Sequence, residues 1–102
     1  MSALSVGPGV IRETVRMAAL EVPGVLKVGR AGPRLRHLFG ASPIRVRVRD
    51  GRVTVTIWVV ARPRQSLELL TTQVRDAVGG AVERLLGLEL GGVTVVVDGV
   101  GA

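Results

Sequence analysis

Apolar positions along the chain recur with two periods, and the changes between them fall at glycines and prolines. Over residues 9–21, Ile11, Val15, Ala18, Ala19 and Val22 keep the spacing of one helical stripe, while Arg12, Glu13 and Arg16 fall off it. Pro8 suits a helix start and Pro23-Gly24 a stop. Val25-Leu26-Lys27-Val28 reads as a short strand. Residues 29–43, GRAGPRLRHLFGASP, form a basic Gly/Pro-rich loop in which Leu35, Leu38 and Phe39 can make one apolar turn. A loop of that length in a small domain points to function or mobility.

From Ile44 the period changes to two. IRVRVRDGRVTVTIW places Asp50-Gly51 between two alternating runs, the signature of a hairpin with a type I′ turn. A two-residue loop pairs Arg49 with Arg52, Val48 with Val53 and Val46 with Val55. One face then holds Ile44, Val46, Val48, Val53, Val55 and Ile57. The other holds Arg45, Arg47, Arg49, Arg52, Thr54 and Thr56, and Trp58 and Val60 continue it. Residues 66–86 return to a helical period, with Ser66 as N-cap, Glu68 in the first turn and a stripe of Leu70, Val74, Ala77, Val78, Ala81 and Leu85. Gly79-Gly80 interrupts that stripe, which implies close packing on the sheet or a kink, and Gly87 suits the C′ position. Val93-Thr-Val-Val-Val97 is the last strand.

The order α-β-β-β-α-β predicts an α+β fold of two layers: a mixed β-sheet with two helices on one face and the other face open. The crossover through the second helix is expected to be right-handed. The chain of 102 residues is read as a single domain, residues 1–102, with an N-terminal segment at 1–8.

Composition sharpens this picture. Phe39 and Trp58 are the only aromatics, so the core must be aliphatic. The absence of cysteine removes disulfides, thiolate metal sites and thiol catalysis. No signal peptide and no apolar run of spanning length is seen, so the chain is expected to be soluble or to reach a membrane only through its surface or a partner. The net charge of +6 is concentrated: Lys27, Arg30, Arg34, Arg36, Arg45, Arg47, Arg49, Arg52, Arg62 and Arg64 face only Asp50 within residues 27–64.

Four segments, IRETVRMAALEVPGV (11–25), the hairpin around Asp50-Gly51, AVERLLGL (81–88) and VTVVVDGV (93–100), together resemble the alkaline-shock-protein family of bacterial envelope stress-response proteins. The signatures that carry the resemblance are Ala18-Ala19-Leu20-Glu21-Val22-Pro23-Gly24-Val25 and Leu85-Leu86-Gly87-Leu88. They span the chain from about residue 10 to residue 100. Where family members carry a glycine near the entry to the long helix, this chain has Arg62-Pro63-Arg64-Gln65, so a differently shaped loop is expected there. It also lacks the long charged tails of many members. The resemblance implies a small cytoplasmic, self-associating protein of the cell-wall or alkaline stress response. No enzymatic activity is established for the family as a class, and some members look like peripheral scaffolds held near the membrane by a separate anchor protein.

Catalytic chemistry finds no support in the residues. His37, the one histidine, lies among arginines whose charge disfavours its protonated form. The acids are scattered, no serine has a nucleophile-elbow context, and no glycine pattern matches a phosphate-binding loop. No catalytic, cofactor-binding or metal-binding residue is assigned, and neither a cofactor nor a small-molecule substrate is expected. The candidate surface is Arg45, Arg47, Arg49, Arg52 and Trp58, extended by Arg34, Arg36 and His37. Arg49 directly opposite Arg52 is a like-charge pair that calls for an acid from elsewhere in the chain, another subunit or a ligand, with Glu89, Asp98 and the helix acids as candidates within a homo-oligomer. The first expectation is a non-enzymatic scaffold that docks proteins through this face. The second is nonspecific binding of nucleic acid or an anionic membrane surface, which the scarcity of stacking aromatics disfavours for single strands.

Overall fold

A computed structural model gives the structure of residues 6–29 and 42–101. Helix α1 spans Pro8–Leu20, with proline in its first turn and the extended Gly7 as N-cap. Proline suits that position because its missing N–H would have no partner there. The predicted stripe is the buried one: Ile11, Val15 and Ala19 are fully covered, and Val22 is buried just beyond the helix. Strand β1 is Val25–Val28, β2 is Ile44–Arg49 and β3 is Arg52–Ala61. Helix α2 is Leu67–Gly80 and continues into a π-helical turn, Ala81–Leu85, before β4, Glu89–Val100. The element order is the one that the hydrophobic periods predict.

β3 is the spine of the sheet. Along one edge it pairs antiparallel with β2, from Ile44↔Ile57 to Arg49↔Arg52, and then with β1, from Val28↔Val59 to Val25↔Ala61. β2 and β1 thus lie end to end. The changeover is at Trp58, whose N–H donates to the Pro43 carbonyl at 2.9 Å and whose carbonyl accepts from the Gly29 N–H at 2.9 Å. Along its other edge β3 pairs parallel with β4, from Arg52↔Glu89 to Ala61↔Val100. The sheet is therefore mixed.

The core lies between the two layers. Val53, Val55, Ile57, Val59 and Ala61 of β3, with Ile44, Val25 and Val28, pack on Ile11, Val15 and Ala19 of α1 and on Leu70, Val74, Val78 and Val82 of α2 and its extension. Each fully covered Val, Ile or Leu contributes about 1.5–3 kcal/mol by leaving water. No polar or charged side chain is buried among the described residues.

Three details differ from the sequence reading. Leu85 does not complete the helical stripe; it is 76% exposed, and Val82 is buried in its place. The cause is the π-helical turn, in which the Leu86 N–H reaches back five residues to the Ala81 carbonyl. The wider turn delays the rotation of the side chains, so the α-helical phase no longer holds. β4 has twelve residues, not the five of Val93–Val97, because ladder pairing with β3 carries the chain through Gly91-Gly92 and Gly99. Val60 is not on an open surface but 96% covered, being 4% exposed.

Candidate interaction surface

The basic face follows from the hairpin. Asp50 (φ 54°) and Gly51 (φ 77°) both take the left-handed backbone that a type I′ turn demands. This two-residue turn fixes the register, and strand alternation then sends Arg45, Arg47, Arg49 and Arg52 to the side away from the helices. All four are exposed, while Trp58, farther along β3, is half-buried. The Arg45 guanidinium carbon sits 5.7 Å from the centre of the Trp58 ring, within the range of a cation–π contact.

The acid called for by the Arg49/Arg52 pair comes from within the chain. Glu89 Oε1 lies 3.6 Å from Arg52 Nε, held there because β4 starts in register with β3. Both side chains are 64% exposed, so solvent screening limits this pair to well under 1 kcal/mol. Among the described residues, no carboxylate comes within ion-pairing distance of Arg45, Arg47 or Arg49. Among the described residues, the ion pair of this face is Arg52–Glu89, at its hairpin end.

Beyond Trp58 the outer face is covered by the chain itself. The Gly101 N–H donates to the Ala61 carbonyl at 2.8 Å, laying the C-terminal backbone beside Leu26 and Val60. A Cβ at Gly101 would meet Leu26 Cδ2 at 2.6 Å and Val60 Cγ1 at 3.5 Å. Trp58 therefore marks a border between an open basic half and a self-covered apolar half. The predicted extension through Arg34, Arg36 and His37 lies outside the described residues, as does the apolar turn of Leu35, Leu38 and Phe39. The described ends of that segment, Gly29 and Ser42, flank the Trp58 position of the sheet.

A second feature escaped the sequence reading. On the far side of the helical layer, a groove of about 430 Å³ opens between α1 and the π-helical turn, lined by Met17, Ala18, Ala77, Ala81 and Leu85 among others. Met17 in its lining is exposed, as is Leu20 at the end of α1. Their only sequence signal was position, since both are apolar residues off the buried stripe. Among the described residues, no three His, Asp or Glu side chains gather to hold a metal ion, and no helix is long and apolar enough to cross a membrane.

Solved structures that share this architecture include two forms of MamM CTD. The copper form of MamM CTD is 18% identical, with a TM-score of 0.65 over 90% of this chain and 85% of that one. A manganese form of a MamM CTD variant is 19% identical, with a TM-score of 0.65 over 91% of this chain and 99% of that one. At such identities the likeness is one of fold. No curated protein matches the sequence. A family model does match, over residues 1–102, and its description is cell envelope-related function. With the helix-closing Val22-Pro23-Gly24-Val25, the Asp50-Gly51 hairpin and the Leu86-Gly87-Leu88 link to a valine-rich strand all in place, the chain belongs to the alkaline shock protein 23 family.

Proposed function

We propose that the protein is a non-enzymatic scaffold of the cell-envelope stress response, docking acidic protein surfaces through the basic half of its outer sheet face. The observation that carries this reading is the juxtaposition, on the sheet face away from α1 and α2, of Arg45, Arg47, Arg49 and Arg52 with the half-buried indole of Trp58. Aromatic and arginine side chains together are the residues that anchor protein interfaces. A second copy of the chain or a membrane-anchor protein supplies the partner surface, and the protein itself acts from the cytoplasmic side.

A second reading rests on Arg45, Arg47 and Arg49, which have no carboxylate within ion-pairing distance among the described residues: an anionic polymer or lipid surface would neutralise the same row. Salt dependence separates the two. Four arginines neutralising single-stranded RNA phosphates give a log affinity against log salt slope of about −3. Labelled RNA, duplex DNA and anionic vesicles are titrated at two salt concentrations, beside light scattering of the protein alone. Association of the protein with weak, shallow polyanion binding supports the scaffold. A monomer that binds RNA with the steep slope overturns it in favour of the second reading.

A further inference from the structure

We infer that copies of this chain join edge to edge, the free side of β4 in one copy pairing antiparallel with the β2 strand of the next, so that the sheet continues across the contact. This rests on reading the basic side as protein-docking and names a second copy as what meets its edge.

Among the described residues, β4 pairs only with β3, and its other side carries a twelve-residue row of backbone donors and acceptors. It contains no proline and no Lys or Arg, the residues that usually protect an exposed edge. β2 likewise pairs only with β3 among the described residues. The two edges are opposite in charge. β1 and β2 carry Lys27, Arg45, Arg47 and Arg49 and no acid, whereas β4 carries Glu89 and Asp98 and no base.

The register makes the complementarity specific. Within the chain, residues line up across three strands as Arg49–Arg52–Glu89, Arg47–Thr54–Gly92 and Arg45–Thr56–Thr94 on the outer face. The inner face has Val48–Val53–Leu90, Val46–Val55–Val93 and Ile44–Ile57–Val95. Because β2 runs antiparallel to β4, carrying each row straight into a second copy places Glu89 between its own Arg52 and the second copy's Arg49. On the inner side, Leu90, Val93 and Val95 meet the second copy's Val48, Val46 and Ile44. That contact covers Val48, which is 58% exposed in the single chain, and the partly exposed Val46, Leu90, Val93 and Val95.

The alternatives fit less well. Pairing β2 with another β2 sets arginine rows against each other, and pairing β4 with another β4 leaves Val48 uncovered. A head-to-tail contact uses a different edge on each copy and leaves one free edge at each end. Successive copies therefore close into a ring or extend as a chain.

Gly92 gives the test. A Cβ there meets nothing within 4 Å, so Gly92→Arg leaves the fold intact while setting a cation opposite the second copy's Arg47. Circular dichroism checks the fold, and sedimentation velocity at low salt reads the assembly. The wild-type protein is expected to sediment as multimers, Gly92→Arg as the 10.7 kDa monomer, and the Gly92→Arg/Arg47→Glu double variant as multimers again. A wild-type monomer at every concentration, a Gly92→Arg protein that still assembles, or a double variant that stays monomeric overturns the inference. If Trp58→Ala disperses the multimers and Gly92→Arg does not, the edge contact is wrong while docking through the sheet face stands.

Discussion

Gly24 sits where the first helix hands over to the sheet, and adding one methyl group there tests how that corner is held. The Gln65 side chain fills the space beside its Cα, donating through Nε2 to the Gly24 carbonyl at 2.8 Å and to the Arg62 carbonyl at 2.7 Å. A Cβ on residue 24 would collide with the Gln65 amide and come within 2.9 Å of Leu70 Cδ1, in a side chain that is 1% exposed. Gly24→Ala must therefore expel Gln65 and push Leu70 into the core. Losing two hydrogen bonds at roughly 0.5–1.5 kcal/mol each costs about 2 kcal/mol. Overpacking at Leu70 adds about 1 kcal/mol. The smaller conformational freedom of alanine in the unfolded chain returns about 0.4–1 kcal/mol. The expected net loss is about 2 kcal/mol, read from urea unfolding at constant m-value. The decisive measurement is the double-mutant cycle with Gln65→Ala, which by itself removes the same two hydrogen bonds. In that background Gly24→Ala should cost at least about 1 kcal/mol less, because the amide it would displace is gone. Additive losses would show that Gln65 does not couple to Gly24 and would refute this account of the corner.

Other substitutions probe the rest of the fold. Gly80→Ala should raise stability by up to about 1 kcal/mol in thermal unfolding, since the atoms nearest the new Cβ are at the far end of the flexible Arg84 side chain. Gly79→Ala should gain less than Gly80→Ala, because its Cβ would lie 3.1 Å from Leu90 Cδ2 beneath the helix. Arg64 holds a left-handed backbone with φ 65°, so Arg64→Gly should be neutral or stabilising by up to about 1 kcal/mol in the same assay. Ile57→Ala, at a fully covered position on the central strand, should lose about 2–5 kcal/mol in urea unfolding.

Arg64 also explains a departure visible in the sequence. The Arg62-Pro63-Arg64-Gln65 entry lacks the glycine expected there, yet the chain still turns through a left-handed residue. Gln65 then closes the corner against Gly24 and Arg62.

What the sequence by itself determined was most of the local structure, the π-helical turn at Leu85 excepted. Period two and period 3.6 named the elements, Asp50-Gly51 set the hairpin register, Ser66 capped the second helix through the Leu69 N–H, and the aliphatic stripes named most of the core. Those features depend on neighbours a few residues apart, so they can be read from the chain. Tertiary structure alone decided what depends on residues far apart. It laid β1 and β2 end to end on one edge of β3 and let parallel pairing carry β4 through Gly91-Gly92. It also brought Glu89 to Arg52 within one chain and set Arg45 over Trp58. Spacing along the chain fixes which side of an element a residue takes. Which residues then stand across from it depends on the register of strands brought together from distant parts of the chain.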